Sequence, residues 1–289
     1  MSGLSSRVAL QLRLDINYSS SSLSSSSLFV CVVVQNMAKP YDQTVLFGDS
    51  LFQFASEAQQ GFSFQGALQS HCMRNLDVIN RGFSGYNTRN ALQILPQAFL
   101  PPSPSNPKIE YLLVLFGAND ACIDIPTNIQ RVPMEKYKEN LVKIITHDHI
   151  RAHNPKILLI TPPPLDEIRI TVLDLEKGHP QATRQAENSA KYCETVRQVA
   201  AEIPGVTLID LQKAIMDKAI ALTPDFDANG PPLGYPKGKR GGLEQLLPDG
   251  LHMSGEAYRV LFDLVKPYIG PFPAEQTVFP EWRKINAET

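Results

Sequence analysis

Gln43-Thr44-Val45-Leu46-Phe47-Gly48-Asp49-Ser50 is the stretch on which the fold turns. Its first five residues favour a strand, and Gly48 ends the run. The apolar residues are consecutive rather than alternating, which suits a strand covered on both faces. Four similar runs follow. Leu76 to Asn80 ends at Gly82, Ile109 to Phe116 at Gly117, and Lys156 to Thr161 at Pro162; Val206 to Ile209 is the shortest. Helical spacings lie between and after them: Met134, Tyr137, Leu141, Ile144 and Ile145; Ala186, Ala190, Cys193, Val196 and Ala200; Tyr258, Leu261, Phe262 and Val265, with Ser254 as N-cap. Strands alternating with helices predict a parallel sheet with helices on both faces. Ligands of such sheets bind beyond the carboxyl ends of the strands, so the residues just after each strand are the functional candidates.

Four clusters stand at those ends or in loops: Gly48-Asp49-Ser50, Asn80 to Thr88, Gly117-Ala118-Asn119-Asp120, and Asp249-Gly250-Leu251-His252. A serine hydroxyl is a weak nucleophile and needs an adjacent base. Histidine is the usual base, and a carboxylate behind it fixes the tautomer and stabilises the imidazolium. Asp249 and His252 are close enough in sequence for one turn to supply both. Acyl transfer also needs donors for the developing oxyanion. The Ser50 N–H, the Gly85 N–H and the Asn119 amide are the candidates, and losing one such donor costs about 2.7–4 kcal/mol. Asp49 and Asp120 read as turn-holding carboxylates. Ser84 sits in G-x-S-G but lacks the G-x-S-x-G of a nucleophile elbow, so its reading is structural.

At these residues the chain resembles the SGNH (GDSL-type) hydrolases. Their four blocks are matched in order by Ser50 in G-D-S, Gly85, Asn119 in G-x-N-D, and Asp249 with His252 in D-x-x-H. Gly82 is the alternative glycine of the second block. The likeness covers about residues 43 to 268. V-L-F-G-D-S-L-F-Q, N-R-G-F-S-G-Y-N-T-R and L-P-D-G-L-H-M-S-G-E-A-Y look like the isoamyl acetate-hydrolysing esterase branch. The resemblance implies a flavodoxin-like three-layer α/β/α sandwich with a five-stranded parallel sheet, and a catalytic triad of Ser50, Asp249 and His252. It implies an oxyanion hole of Ser50, Gly85 and Asn119, no cofactor or metal, a small-molecule ester as substrate, and a homodimer. Short acetate-type esters are the expected substrates. A carbohydrate O-deacetylase, lysophospholipase or thioesterase would use the same residues. Leu51-Phe52 stands where many relatives carry Ile-Thr, which changes the wall beside the serine.

The rest of the chain narrows the choice. With 27 Lys and Arg against 29 Asp and Glu, no basic surplus favours nucleic acid. The longest apolar run, Leu28 to Val34, is far short of the ~20 residues of a membrane-spanning helix, so no stable membrane insertion is expected. Cys31, Cys72, Cys122 and Cys193 have no metal or redox spacing and read as reduced thiols, which suits a cytoplasmic location. Residues 1–36 include eight serines among the nine residues from Ser19 to Ser27. They are expected to be a disordered tail, or to lie before a true start at Met37, with a single domain at 37–289. Arg7 and Arg13 with one acid, Asp15, would alternatively make a mitochondrial transit peptide, and Leu28 to Val34 a weak secretory h-region that sits late and lacks a clear small-residue cleavage site.

Three features compete for a role. Thr223 to Pro248 is Pro- and Gly-rich without helical period, and reads either as a lid or binding loop or as a mobile surface insertion. Lys237, Lys239 and Arg240 within it read as solvated. In the cluster His147, Asp148, His149 and His153, His149 and His153 share a predicted helix face but have no third ligand and no H-E-x-x-H, so a solvated helix end is preferred to a metal site. A metal phosphoesterase lacks its ligands, and a binding module without catalysis has no support because every catalytic position is filled.

Overall fold

Strands form where the apolar runs lie: β1 (Asp42–Gly48), β2 (Leu76–Gly82), β3 (Ile109–Leu115), β4 (Lys156–Ile160) and β5 (Val206–Ile209). The computed structural model describes residues 40–103, 106–273, 277–279 and 281–287. The readings of the serine-rich tail, of Met37 and of Cys31 fall outside them. The helices are α1 (Ser50–Gln53), α2 (Phe64–His71), α3 (Thr88–Ala98), α4 (Met134–Ile145), α5 (Asp148–Arg151), α6 (Glu167–Glu176), α7 (Ala186–Glu202), α8 (Leu211–Ala221), α9 (Leu243–Leu246), α10 (Gly255–Val265) and α11 (Trp282–Ala287). Strand order is β2-β1-β3-β4-β5, all parallel, as the flavodoxin-like reading requires.

The sheet separates two apolar cores, because successive side chains of a strand point to opposite faces. Leu46, Leu113, Leu115 and Ile160 face the first, with Phe64 and Leu68 of α2, Leu211 and Ile215 of α8, and Tyr258 and Leu261 of α10. Val45, Phe47, Leu112 and Val114 face the second, with Leu95 of α3, Tyr137 and Leu141 of α4, and Val196 of α7. Burial on both faces is why the runs Val45 to Phe47 of β1 and Tyr111 to Leu115 of β3 are consecutively apolar. Each fully buried Leu or Phe contributes about 1.5–3 kcal/mol relative to exposure. The chain leaves β1, forms β2 on one side, then crosses back to form β3 on the other. That reversal opens a crevice at the carboxyl ends of β1 and β3, where Gly48-Asp49-Ser50 and Gly117-Ala118-Asn119 emerge.

Residues 223–248 are neither a lid nor a loose insertion. Leu233, Leu243, Leu246 and Leu247 are buried in the first core. The Arg240 guanidinium pairs with the fully buried carboxylate of Asp166, the N-cap of α6, and Lys239 pairs with Asp225. The solvated reading therefore fails for Arg240. It fails for His153 too. That ring is buried; its Nδ1 accepts from the Ile109 N–H at 3.1 Å and its Nε2 donates to the Leu100 carbonyl at 2.8 Å. Cys72, Cys122 and Cys193 are buried free thiols. In the C-terminal stretch Phe272 packs against His71, Phe279 against Tyr41, and Trp282 is exposed. No helix among the described residues is long and apolar enough to cross a membrane.

Candidate active site

Ser50 is the first residue of α1, immediately beyond β1. Asp49 caps that helix, its Oδ1 accepting from the Leu51 N–H at 2.9 Å. The cap holds the turn rigid, so the Ser50 side chain leaves the sheet in one direction. The Ser50 Oγ lies 2.9 Å from the Nε2 of His252, 202 positions away in sequence. His252 stands in the turn before α10, which Ser254 caps as expected through the Ala257 N–H. The Tyr258 hydroxyl of α10 donates to the Leu51 carbonyl at 2.7 Å, tying the histidine's helix to the serine's.

Behind His252, Asp249 Oδ2 is 2.6 Å from Nδ1. The other carboxylate oxygen accepts from the His252 N–H at 2.7 Å and the Leu251 N–H at 2.9 Å. One carboxylate thus organises the whole D-x-x-H turn. Partial burial pushes the Asp249 carboxyl up, but the His252 ring and these two N–H groups outweigh it and hold it at about 2. An ionised carboxylate only accepts, so Nδ1 carries the proton and Nε2 is left bare toward the serine hydroxyl. That is the tautomer a general base needs.

On the other side of Ser50 lie Gly85 and Asn119, and all five residues line one cavity of about 210 Å³. Gly85 has φ +81°, a conformation other residues rarely adopt, and its carbonyl accepts from Gln130 Nε2 at 2.8 Å. Its N–H has no partner among the described residues, and neither has that of Ser50. Gly82, the alternative glycine, differs on both counts. Its N–H is taken by Asn80 Oδ1 at 2.8 Å, and a Cβ there would lie 2.1 Å from the Gln53 nitrogen. Gly82 is needed for close packing of α1 on β2, and Gly85 is the one with a free donor. Ser84 also lines the cavity, with its N–H bound to Gln53 Oε1 at 2.7 Å.

The remaining walls went unread in the sequence. Ile170, Leu173 and Asp174 reach the cavity from α6, Lys177 from the end of that helix, and Arg184 from the segment before α7. No residue of 223–248 lines it. A separate cavity of about 180 Å³ around Phe99, Asn106 and His153 contains no hydroxyl–imidazole pair.

Asp49 and Asp120 hold turns as expected, but they are also an electrostatic liability. Asp120 Oδ1 accepts from the Thr88 N–H at 3.0 Å and its hydroxyl at 2.5 Å, fixing the start of α3. The second oxygen of each carboxylate is buried without a partner. Burial chiefly, and the mutual proximity of the two for Asp49, push Asp49 up to about 7; burial pushes Asp120 up to about 6. Between about pH 4 and about pH 7 the folded state therefore holds protons that the unfolded chain has released, so stability falls as pH rises. Asp49→Asn with Asp120→Asn keeps both acceptors and removes both charges. Thermal melts from about pH 5 to about pH 8 should fall less steeply for this double variant than for the wild type. Parallel melting curves would refute the assignment.

The sequence model of the GDSL-like lipase/acylhydrolase family matches residues 46–260. The chain is 32% identical over 228 residues to a GDSL esterase/lipase of Arabidopsis thaliana, covering 77% of this chain and 83% of that one. It is 27% identical over 257 residues to the isoamyl acetate-hydrolyzing esterase of Saccharomyces cerevisiae, covering 86% and 92%. The solved lipase/acylhydrolase of Enterococcus faecalis has the same fold, with a TM-score of 0.52 at 23% identity over 81% of this chain and 100% of that one. Taken with the fold and the cleft, these matches define a carboxylic ester hydrolase. The chain belongs to the GDSL-like lipase/acylhydrolase family.

Proposed function

We propose that this enzyme hydrolyses small carboxylic esters, acetate esters foremost, through an acyl-Ser50 intermediate. The observation that carries the reading is the 2.9 Å approach of Ser50 Oγ to His252 Nε2, with Asp249 fixing the far side of the ring. His252 takes the hydroxyl proton as Oγ adds to the ester carbonyl. The oxygen that becomes negative faces the Ser50 and Gly85 N–H groups and the Asn119 amide. The tetrahedral adduct collapses, the C–O bond to the alcohol breaks, and His252 hands its proton to the departing oxygen. Water then enters, gives a proton to His252 and displaces the acid, and Ser50 regains its hydrogen.

Size supports a small substrate. A cavity of about 210 Å³ lies below the roughly 300–1,000 Å³ of pockets that enclose drug-sized ligands. Ile170, Leu173 and Leu251 make part of its wall apolar, which suits a short acyl or alcohol group. The yeast relative named for isoamyl acetate points the same way. Turnover of short acetates, acetylated sugars, lysophospholipids and thioesters in one panel separates this reading from the deacetylase, lysophospholipase and thioesterase alternatives.

A fluorophosphonate probe tests the intermediate, because it reacts only with an activated serine. Intact mass should rise by one adduct and peptide mapping should place it on Ser50, with labelling lost in His252→Ala. Labelling at Ser84, or no labelling of active enzyme, would overturn the proposal.

A further inference from the structure

We propose that Arg184 is a positioning residue for the oxyanion hole: it locks the Asn119 amide with its NH₂ group available to the cleft. The assignment rests on the proposed roles of Ser50 and Asn119. Arg184 is buried, 8% exposed, and donates through three nitrogens. Nε reaches the Ala118 carbonyl at 2.8 Å, Nη1 the Thr183 hydroxyl at 3.1 Å, and Nη2 the Asn119 Oδ1 at 2.7 Å. On its other end the Asn119 amide donates from Nδ2 to the Tyr86 carbonyl at 2.8 Å.

These partners leave the amide no choice of orientation. A guanidinium can only donate and a backbone carbonyl can only accept, so Oδ1 must face Arg184 and Nδ2 must face Tyr86. The flipped amide would set NH₂ against guanidinium and oxygen against oxygen. One Nδ2–H is spent on Tyr86; the second has no acceptor among the described residues, and Asn119 lines the cavity with Ser50 and Gly85. Without Arg184, Asn119 could turn its oxygen toward the site of developing negative charge.

Charge adds to orientation. No carboxylate pairs with Arg184 among the described residues. A guanidinium cation bonded to Oδ1 draws electron density from the amide and makes Nδ2–H a stronger donor, since linked hydrogen bonds polarise one another. The support behind Arg184 is continuous. Asp174 of α6 accepts from both the N–H and the hydroxyl of Thr183, each at 2.7 Å, and Thr183 in turn touches the guanidinium. Lysine could not replace this fork, because a single ammonium cannot hold the Ala118 and Asn119 oxygens in the same geometry.

A double-mutant cycle with p-nitrophenyl acetate tests the idea. Asn119→Ala should lower kcat by about 10²–10³-fold, and Arg184→Met by about 10–100-fold with KM little changed. In the Asn119→Ala background, Arg184→Met should lower kcat little further, because its effect passes through the missing amide. Arg184→Lys, which keeps the charge but not the fork, should fall with Arg184→Met, and it carries the same cycle if the methionine variant does not fold. Independent, multiplying losses in the cycle would overturn the assignment, as would wild-type kcat in Arg184→Lys. Wild-type turnover in Ser50→Ala would instead bring down the underlying esterase reading, so the two failures are distinguishable.

Discussion

Ser50→Ala should lower kcat toward p-nitrophenyl acetate by about 10⁴-fold or more, with KM and melting temperature little changed. The only side-chain bond lost is the one to His252 Nε2. Ser50 is 6% exposed, and alanine occupies less space than serine, so neither the α1 turn nor the Asp49 cap is disturbed. The N–H of residue 50 remains in place, as do Gly85 and Asn119. The cleft should still bind ester and still offer oxyanion donors, but no oxygen remains to form the acyl bond. Such a pattern, a collapse of kcat with binding retained, distinguishes a lost nucleophile from a damaged fold. A variant that kept more than a tenth of wild-type turnover would require a different nucleophile.

Asp249→Asn should reduce kcat by about 10⁴-fold, and the cause would be a misplaced proton rather than a missing group. Asparagine retains one oxygen for the Leu251 and His252 N–H groups, so the turn persists. Its NH₂ then faces Nδ1 where a carboxylate oxygen now sits. Nδ1 must become the acceptor, the ring proton moves to Nε2, and the nitrogen facing Ser50 can no longer take a proton. The stabilising charge beside the imidazolium is lost as well. Steady-state kinetics should show the fall in kcat, and fluorophosphonate labelling of Ser50 should slow in parallel. A loss of less than tenfold would mean that Asp249 serves only to shape the turn.

The strand ends and caps were readable because the forces behind them are local. Gly48 and Gly82 are the last residues of their strands, Gly117 lies two residues past the end of β3, and Ser254 caps α10 as its position before an apolar period implies. Two choices left open locally were resolved by neighbours far along the chain. Gly82 and Gly85 both stand in N-R-G-F-S-G-Y, and packing of Gly82 against the distant Gln53 backbone tells them apart. The Pro- and Gly-rich segment 223–248, without helical period, reads locally as a lid or binding loop or as a mobile surface insertion. All four of its leucines nevertheless enter the first core, and Arg240 finds a buried partner in Asp166, 74 positions away.

Arg184 and the α6 wall show the same boundary. G-H-P-Q-A-T-R-Q carries no motif that marks an arginine for the cleft, and its partner Asn119 is 65 positions upstream. From the sequence by itself came the parallel sheet, the placing of Ser50 and Asn119 at the ends of β1 and β3, and the Asp–His turn, since apolar runs and turn residues act within a few positions. Tertiary structure alone decided which glycine presents a free N–H, which helix walls the cleft, and how the Asn119 amide is turned. Each of those depends on crossings between distant segments, where burial leaves a donor or acceptor only the partner that the fold brings to it.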